Sequence, residues 1–409
     1  MKLQEFIVKD EKKMSYGYTT GSCAAGAAGA AAEMLLTSER VDHIRLMTPK
    51  GFLLLLEIED IDMHLPEYVS CAVRKDAGDD PDVTHGVLVY ARVERKSSGG
   101  QEEPPKQTES PEQTEASEQA KTPEIYIEGG IGVGRVTKPG LDQPVGVAAI
   151  NSGPREQIKN KVLELCKLYD CKEDLLVTVS IPEGIHLAEK TFNPRIGIQG
   201  GISVLGTSGI VEPMSDQALI ETIRVELKMH RAQGEKAVAI APGNYGLQFM
   251  QKQYHYPLDH AVKCSNFVKD SMEIAAELCF EKVLFTGHLG KLIKVAAGTE
   301  NTHSRYGDGR MDMLSRLARQ FGGGESLSAQ IMECVATDEA VRLLEKQGLK
   351  EAVMRETARL VQYHAGRFSG NKVQIEVILF SNEFGLLAET EQAENLIREL
   401  SAVTNDIIK

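Results

Sequence analysis

Four carboxylates fall within seven residues, at Asp76, Asp79, Asp80 and Asp82, in the stretch Lys75-Asp76-Ala77-Gly78-Asp79-Asp80-Pro81-Asp82-Val83-Thr84-His85-Gly86. Like charges at that spacing repel one another, so a chain carries them where a cation, a hydroxyl-bearing ligand or plain solvent relieves the repulsion. Three readings stand side by side. A divalent-metal loop is one, although the downstream Glu and central Gly geometry of a helix–loop–helix calcium site is missing. A solvated turn is the second. The third is a ligand site: Asp76 and its neighbours face ligand hydroxyls or a cationic centre, Asp79 and His85 are the candidate catalytic residues, and the imidazole accepts a proton.

Two glycine-rich stretches carry cations. Glu128-Gly129-Gly130-Ile131-Gly132-Val133-Gly134-Arg135-Val136-Thr137-Lys138-Pro139-Gly140 contains a GxGxG string. A dinucleotide fingerprint needs those glycines between a strand and a helix, and Val136, Thr137 and Pro139 keep a helix from starting. The stretch reads either as an irregular β-hairpin or as a loop that brings Arg135 and Lys138 to carboxylates. Asn193-Pro194-Arg195, followed by Gly197, Gly200, Gly201, Gly206, Thr207, Ser208 and Gly209, reads either as a close strand crossing or as a row of amides for an anion. Arg195 would add a charged fork there.

The last candidates follow short apolar runs: Pro242-Gly243-Asn244-Tyr245-Gly246, Ser265-Asn266, and Thr286-Gly287-His288-Leu289-Gly290-Lys291, with Thr299 to Arg305 beyond. If those runs are parallel strands, their tips converge on one edge of a sheet, where such sheets bind ligands. A lone His288 is more often structural; beside Lys291, His303 and Arg305 it gains weight as part of a pocket.

These loops need elements to hold them. Thr19-Thr20-Gly21-Ser22 leads into an Ala-rich helix, which packs tightly on a sheet or offers its N-terminus to an anion. HIRLMTPKGFLLLLEIEDIDM reads as two strands joined by the turn Thr48-Pro49-Lys50-Gly51, and two further strands flank the acidic loop. From about 96 to 123 no large apolar residue occurs, so this segment reads as a disordered insert in a hairpin connection between paired strands. The expected class is α/β: an α+β domain with a mixed or antiparallel sheet over 1–234, then a Rossmann-like doubly wound domain over 235–390 and a C-terminal helix over 391–409.

Composition narrows the partners. A net charge of −13 argues against broad binding to nucleic acid or to anionic membrane. The seven cysteines include no CxxC pair, and MKLQEFIVKDEKK is charged throughout, unlike a signal peptide. A cytoplasmic protein is expected, with no membrane span. No GxxxxGK[ST] string occurs, which argues against a P-loop kinase.

Several strings in one order resemble the cobalt-precorrin-5B C1-methyltransferase family: YGYTTGSCAAGAAGAA, KDAGDDPDVTHG, GGIGVGRVTKPGLDQPVGVAAINSGPR and TFNPRIGIQGGISVLGTSGIVEPMS, then APGNYG, SNFV and FTGHLGKLIKVA. The resemblance covers nearly the whole chain; the insert and the Ser-Gly of NSGPR depart from it. It implies a two-domain α/β enzyme of anaerobic cobalamin biosynthesis that methylates carbon 1 of cobalt-precorrin-5B to give cobalt-precorrin-6A. The methyl donor it implies is S-adenosylmethionine, and cobalt belongs to the substrate, so the protein has no metal site of its own. On this reading Arg135, Lys138, Arg155 and Arg195 face substrate carboxylates. Either the Asp76 to Asp82 loop or the edge formed by Gly243, Asn244, Gly287 and His288 holds the donor. A non-catalytic tetrapyrrole carrier of the same pathway is the rival, and a homodimer is expected from the habits of soluble enzymes.

Overall fold

A computed structural model describes residues 6–9, 12–96, 122–191, 193–257 and 260–408. The proposed insert, apart from its flanking residues, lies outside the described residues. The chain divides into two compact units, Met1–Ser215 and Asp216–Lys409, and each is a mixed α/β structure.

The first unit is built round the helix Thr20–Thr37, most of which is buried. Its Ala and Gly residues leave no bulky face, so neighbours press in from two sides. A Cβ on Gly26 would stand 2.5 Å from Leu56 Cδ1, and one on Gly29 2.8 Å from the Lys161 stem. The sheet beside it runs Glu59–His64, Tyr68–Arg74, Leu88–Arg95, Leu175–Ser180, Ile125–Gly129; all neighbours are antiparallel except the last, parallel pair. Alternation supplies the face packed into the core: Val69, Cys71 and Val73, then Val89, Ala91 and Val93, then Leu175, Val177 and Val179 are all buried. The Cys71 thiol reaches the Ala27 carbonyl at 3.2 Å, which fixes the helix on that face. The helix Ser152–Leu168 adds Ile158, Val162 and Leu165 to the same core.

One expectation is corrected here. The strands on either side of the insert, Leu88–Arg95 and Ile125–Gly129, do not form a hairpin, because Leu175–Ser180 lies between them and pairs with both. Its fully buried Leu175, Val177 and Val179 suit a central position.

The second unit carries a five-stranded sheet in the order Ala261–Lys263, Ala237–Ala241, Lys282–His288, Gln374–Ser381, Gly385–Glu389. The first four strands are parallel and the last is antiparallel. Ala237–Ala241 is buried at every residue, and its neighbours Lys282–His288 and Gln374–Ser381 are buried almost throughout, as covering on both faces requires, whereas the edge strand Gly385–Glu389 is partly exposed along its length. Helices Asn244–Tyr254, Val268–Glu277 and Leu289–Ala296 follow the first three strands in sequence. Four more, Arg310–Gln320, Glu325–Glu333, Thr337–Lys346 and Lys350–Phe368, precede Gln374–Ser381. The chain leaves Ala237–Ala241 for the strand on one side, then crosses to the strand on the other.

The division between units falls before the helix Asp216–Ala232, whereas the sequence reading carried the first domain to residue 234. That helix sends Ile223 and Leu227 into the second unit's core. The C-terminal helix Ala393–Ile408 also belongs to this unit, with Leu396, Ile397 and Leu400 packed beside Leu284 and Ile378 of the sheet.

Candidate functional site

A cavity of about 950 Å³ opens in the second unit at the carboxyl ends of its parallel strands. Gly243, Asn244, Gly287 and His288 all line it, so the structure gathers those four predicted residues. Gly243 has extended backbone, and no atom stands within 4 Å of where its Cβ would be, so the wall is open at this point. Gly246, one turn on, is pressed from below. A Cβ there would stand 2.9 Å from both Ala241 Cβ and the Thr286 carbonyl oxygen. The start of the helix Asn244–Tyr254 therefore sits directly on two strand ends.

His288 ends its strand and caps the helix Leu289–Ala296, its Nδ1 accepting from the Gly290 amide at 3.0 Å. The neutral ring consequently carries its proton on Nε2. Burial holds its pKa below the usual value, and the Asp338 carboxylate partly offsets this. Lys291 is turned inward: its Nζ donates to the carbonyls of Pro242 at 3.1 Å and Ser265 at 3.4 Å and to Asn266 Oδ1 at 2.9 Å. All three ammonium protons are thereby engaged, and burial lowers its pKa. Asn266 Oδ1 also accepts from the Thr302 hydroxyl at 3.2 Å, which anchors the following segment. Residues 299–305 do not themselves line the cavity; Arg305 pairs with Asp216.

Part of the lining is not foreseen from the sequence. Arg310, Val335, Ala336, Thr337, Asp338 and Asn382 complete it. The starts of helices Arg310–Gln320 and Thr337–Lys346 carry most of them, and helix-start signals say nothing of which cavity a helix faces.

In the first unit, the two glycine-rich stretches interlock. Gly132–Val133 pairs in parallel with Gly201–Ile202, and Arg135–Val136 pairs antiparallel with Ile198–Gln199. A Cβ on Gly201 would stand 2.2 Å from the Gly132 carbonyl oxygen, so close strand crossing explains these glycines. The crossing leaves Arg135, Lys138 and Arg195 exposed on one loop system. Lys138 Nζ donates to the Arg195 carbonyl at 3.4 Å, and Arg135 contacts Glu128 Oε1 and the Gly146 carbonyl, each at 3.1 Å.

Arg155 is different. Its guanidinium donates to the carbonyls of Ile150 at 2.8 Å, Ile127 at 2.9 Å and Ala148 at 3.4 Å, and burial lowers its pKa. It clamps the strand at Ile127 to the segment Ala148–Ile150 and does not join the exposed cations. The Ala-rich helix likewise spends its N-terminus internally, Thr19 capping the Ser22 amide and the Gly21 amide donating to Leu205.

The acidic loop relieves its repulsion from within the chain. Asp76 accepts from the Gly78 amide at 2.9 Å, Asp79 from the Ser15 amide at 2.5 Å and Asp80 from the Met214 amide at 2.9 Å. Asp82 meets the buried Lys75 ammonium at 2.5 Å; burial pushes its pKa up, but Lys75 and the Thr84 hydrogen bonds outweigh that and hold it below the usual value. His85 Nδ1 accepts from the Ala77 amide at 3.1 Å and stands 3.8 Å from Asp76 Oδ1.

Comparison with known proteins agrees with this division of the chain. The family described as CbiD matches residues 7–213, and the one described as CbiD, C-terminal domain, matches residues 301–391. A protein of Ruminiclostridium cellulolyticum named cobalt-precorrin-5B C(1)-methyltransferase is 40% identical over 97% of this chain and 98% of its own. One of the same name from Alkaliphilus metalliredigens is 39% identical over 98% of each chain. The crystal structure of a cobalamin biosynthesis protein (cbiD) from Archaeoglobus fulgidus is 23% identical, covering 78% of this chain and 88% of that one with a TM-score of 0.37, too low for structural detail to carry over. The chain belongs to the CbiD family of methyltransferases.

Proposed function

We propose that this chain transfers a methyl group from S-adenosylmethionine to carbon 1 of cobalt-precorrin-5B, giving cobalt-precorrin-6A in anaerobic cobalamin biosynthesis. The name printed for its relatives supports the substrate. The observation that carries the donor site is the cavity at the strand ends of the second unit. With the sheet order described, it lies where a doubly wound, Rossmann-like sheet reverses its strand order, the usual ligand crevice of such folds.

The lining fits an adenosyl amino acid. It combines the amides that open two helices, an aromatic and an aliphatic surface at Tyr245 and Val335, and a carboxylate at Asp338. S-adenosylmethionine supplies, when bound, a methyl group on a sulfonium leaving group. The chain's own residues hold and shield. Gly243 leaves room at the wall, and Lys291 ties the loops that form it. Alignment and exclusion of water are the protein's contribution to the rate, since the corrin carbon is itself electron-rich.

For the substrate we assign Arg135, Lys138 and Arg195 to its carboxylates, and withdraw Arg155 because its donors serve backbone carbonyls. Asp76 and Asp79 act in this reading as clasps of the loop. His85 can take a proton on Nδ1 only by releasing Ala77. Cobalt enters as part of the substrate.

The test is an anaerobic incubation of the protein with cobalt-precorrin-5B and methyl-labelled S-adenosylmethionine. Label at carbon 1 with release of S-adenosylhomocysteine is the expected result. Tight corrinoid binding without label, given active substrate and folded protein, would instead identify a carrier.

A further inference from the structure

We infer that Asp338 recognises the ribose of the adenosyl ligand, its buried Oδ1 accepting a hydrogen bond from a sugar hydroxyl; the inference rests on reading the cavity as the donor site. Asp338 lines that cavity, and among the described residues its Oδ1 is shielded from solvent without a hydrogen-bond partner. A buried acceptor without a donor is costly, so a chain keeps one where a ligand brings the donor.

Local structure does not explain the carboxylate. It lies in the first turn of the helix Thr337–Lys346, but the amides ahead of that helix are served by its neighbour. Glu339 Oε2 accepts from Val335 at 3.0 Å and Ala336 at 3.2 Å. His288 does not serve it either: its Nδ1 accepts from Gly290, and its Nε2–H makes no hydrogen bond to Oδ1.

The missing group must carry an O–H or N–H. A sulfonium has neither. A ribose diol presents two adjacent hydroxyl donors, which a carboxylate accepts well. The same cavity offers a surface for the attached purine in Tyr245, 65% exposed, and Val335, 82% exposed. The amino group of the methionine part is the other donor on such a ligand, and the test separates the two.

The full-length protein is titrated calorimetrically with S-adenosylhomocysteine, its 2′-deoxy and 3′-deoxy analogues, and an analogue lacking the amino group. The wild-type chain is expected to bind at least one deoxy analogue about 10-fold or more weakly than the parent. In Asp338→Ala that discrimination falls to within about 3-fold, while any preference for the amino group persists. Asp338→Asn, which keeps the shape of the side chain, serves as the second variant and reduces the discrimination as well. The inference is overturned if both folded variants retain the full discrimination, if the wild type binds both deoxy analogues as tightly as the parent, or if the variants lose only the preference for the amino group. Failure of the wild type to bind S-adenosylhomocysteine at all overturns the donor-site reading itself, and this inference with it.

Discussion

The Lys291 ammonium donates to Asn266 Oδ1 at 2.9 Å, and the same nitrogen holds the carbonyls of Pro242 and Ser265. One side chain thus ties together the loops that follow three successive strands. Lys291→Met keeps the stem but leaves the carbonyls unpaired. It is expected to lower stability by about 2 kcal/mol, since buried acceptors lose their donor. S-adenosylhomocysteine affinity should fall as well. Chemical denaturation and calorimetry on the same preparation check both; a variant of wild-type stability and affinity would show that the loops hold without the tether.

Gly246 tests the seating of the first helix on the sheet. An added methyl group would meet Ala241 Cβ and the Thr286 carbonyl at 2.9 Å, and the backbone oxygen cannot rotate away. Gly246→Ala should cost about 1–3 kcal/mol through forced repacking, and the displaced helix start should weaken ligand binding. Thermal melts with and without S-adenosylhomocysteine measure the two effects. An alanine variant that melts with the wild type would mean the helix moves freely.

Arg155 and Arg135 should separate stability from substrate binding. Arg155→Met strands the carbonyls of Ile127 and Ile150, and about 3 kcal/mol of stability should go with it. Arg135 is half exposed beside Glu128, so Arg135→Met should cost less than about 1 kcal/mol. Steady-state kinetics on the folded variants should give the reverse order, with KM for the corrinoid raised in Arg135→Met and near wild type in Arg155→Met. Equal KM values in Arg135→Met and the wild type would remove Arg135 from the substrate site.

The contrast between these arginines shows what the sequence can and cannot reveal. Gly243, Asn244, Gly287 and His288 were legible because apolar runs ending in small and polar residues mark strand tips, and parallel strands place their tips on one edge. Asp338, Arg310 and Asn382 were not. They reach the cavity from helices and a strand end far along the chain, and packing alone decides which way those elements face. Arg155 misled for a related reason. The family resemblance put it beside the exposed cations, but the carbonyls it satisfies belong to the strand Ile125–Gly129 and the irregular segment before its own helix. The insertion of Leu175–Ser180 between two earlier strands is a non-local pairing that no local pattern encodes.

His288 gives the chain a local dependence on pH whose sign follows from its burial. Its folded pKa lies below the ordinary 6.5, held down by burial and raised part of the way by Asp338. As pH falls through the window just under 6.5, the unfolded chain takes up a proton that the folded chain refuses. Stability is therefore fully present above that window and declines as the solution is acidified through it, levelling off once the folded imidazole is also protonated. His288→Asn retains a side chain able to cap the helix Leu289–Ala296 and removes the titration. Its unfolding free energy should fall less steeply than that of the wild type between about pH 6.5 and 5. In Asp338→Ala, where the offsetting charge is gone, the decline should reach further towards acid. Denaturant midpoints measured across this range for the three proteins test both statements, and parallel curves for His288→Asn and the wild type would mean that His288 titrates alike in the folded and unfolded chains.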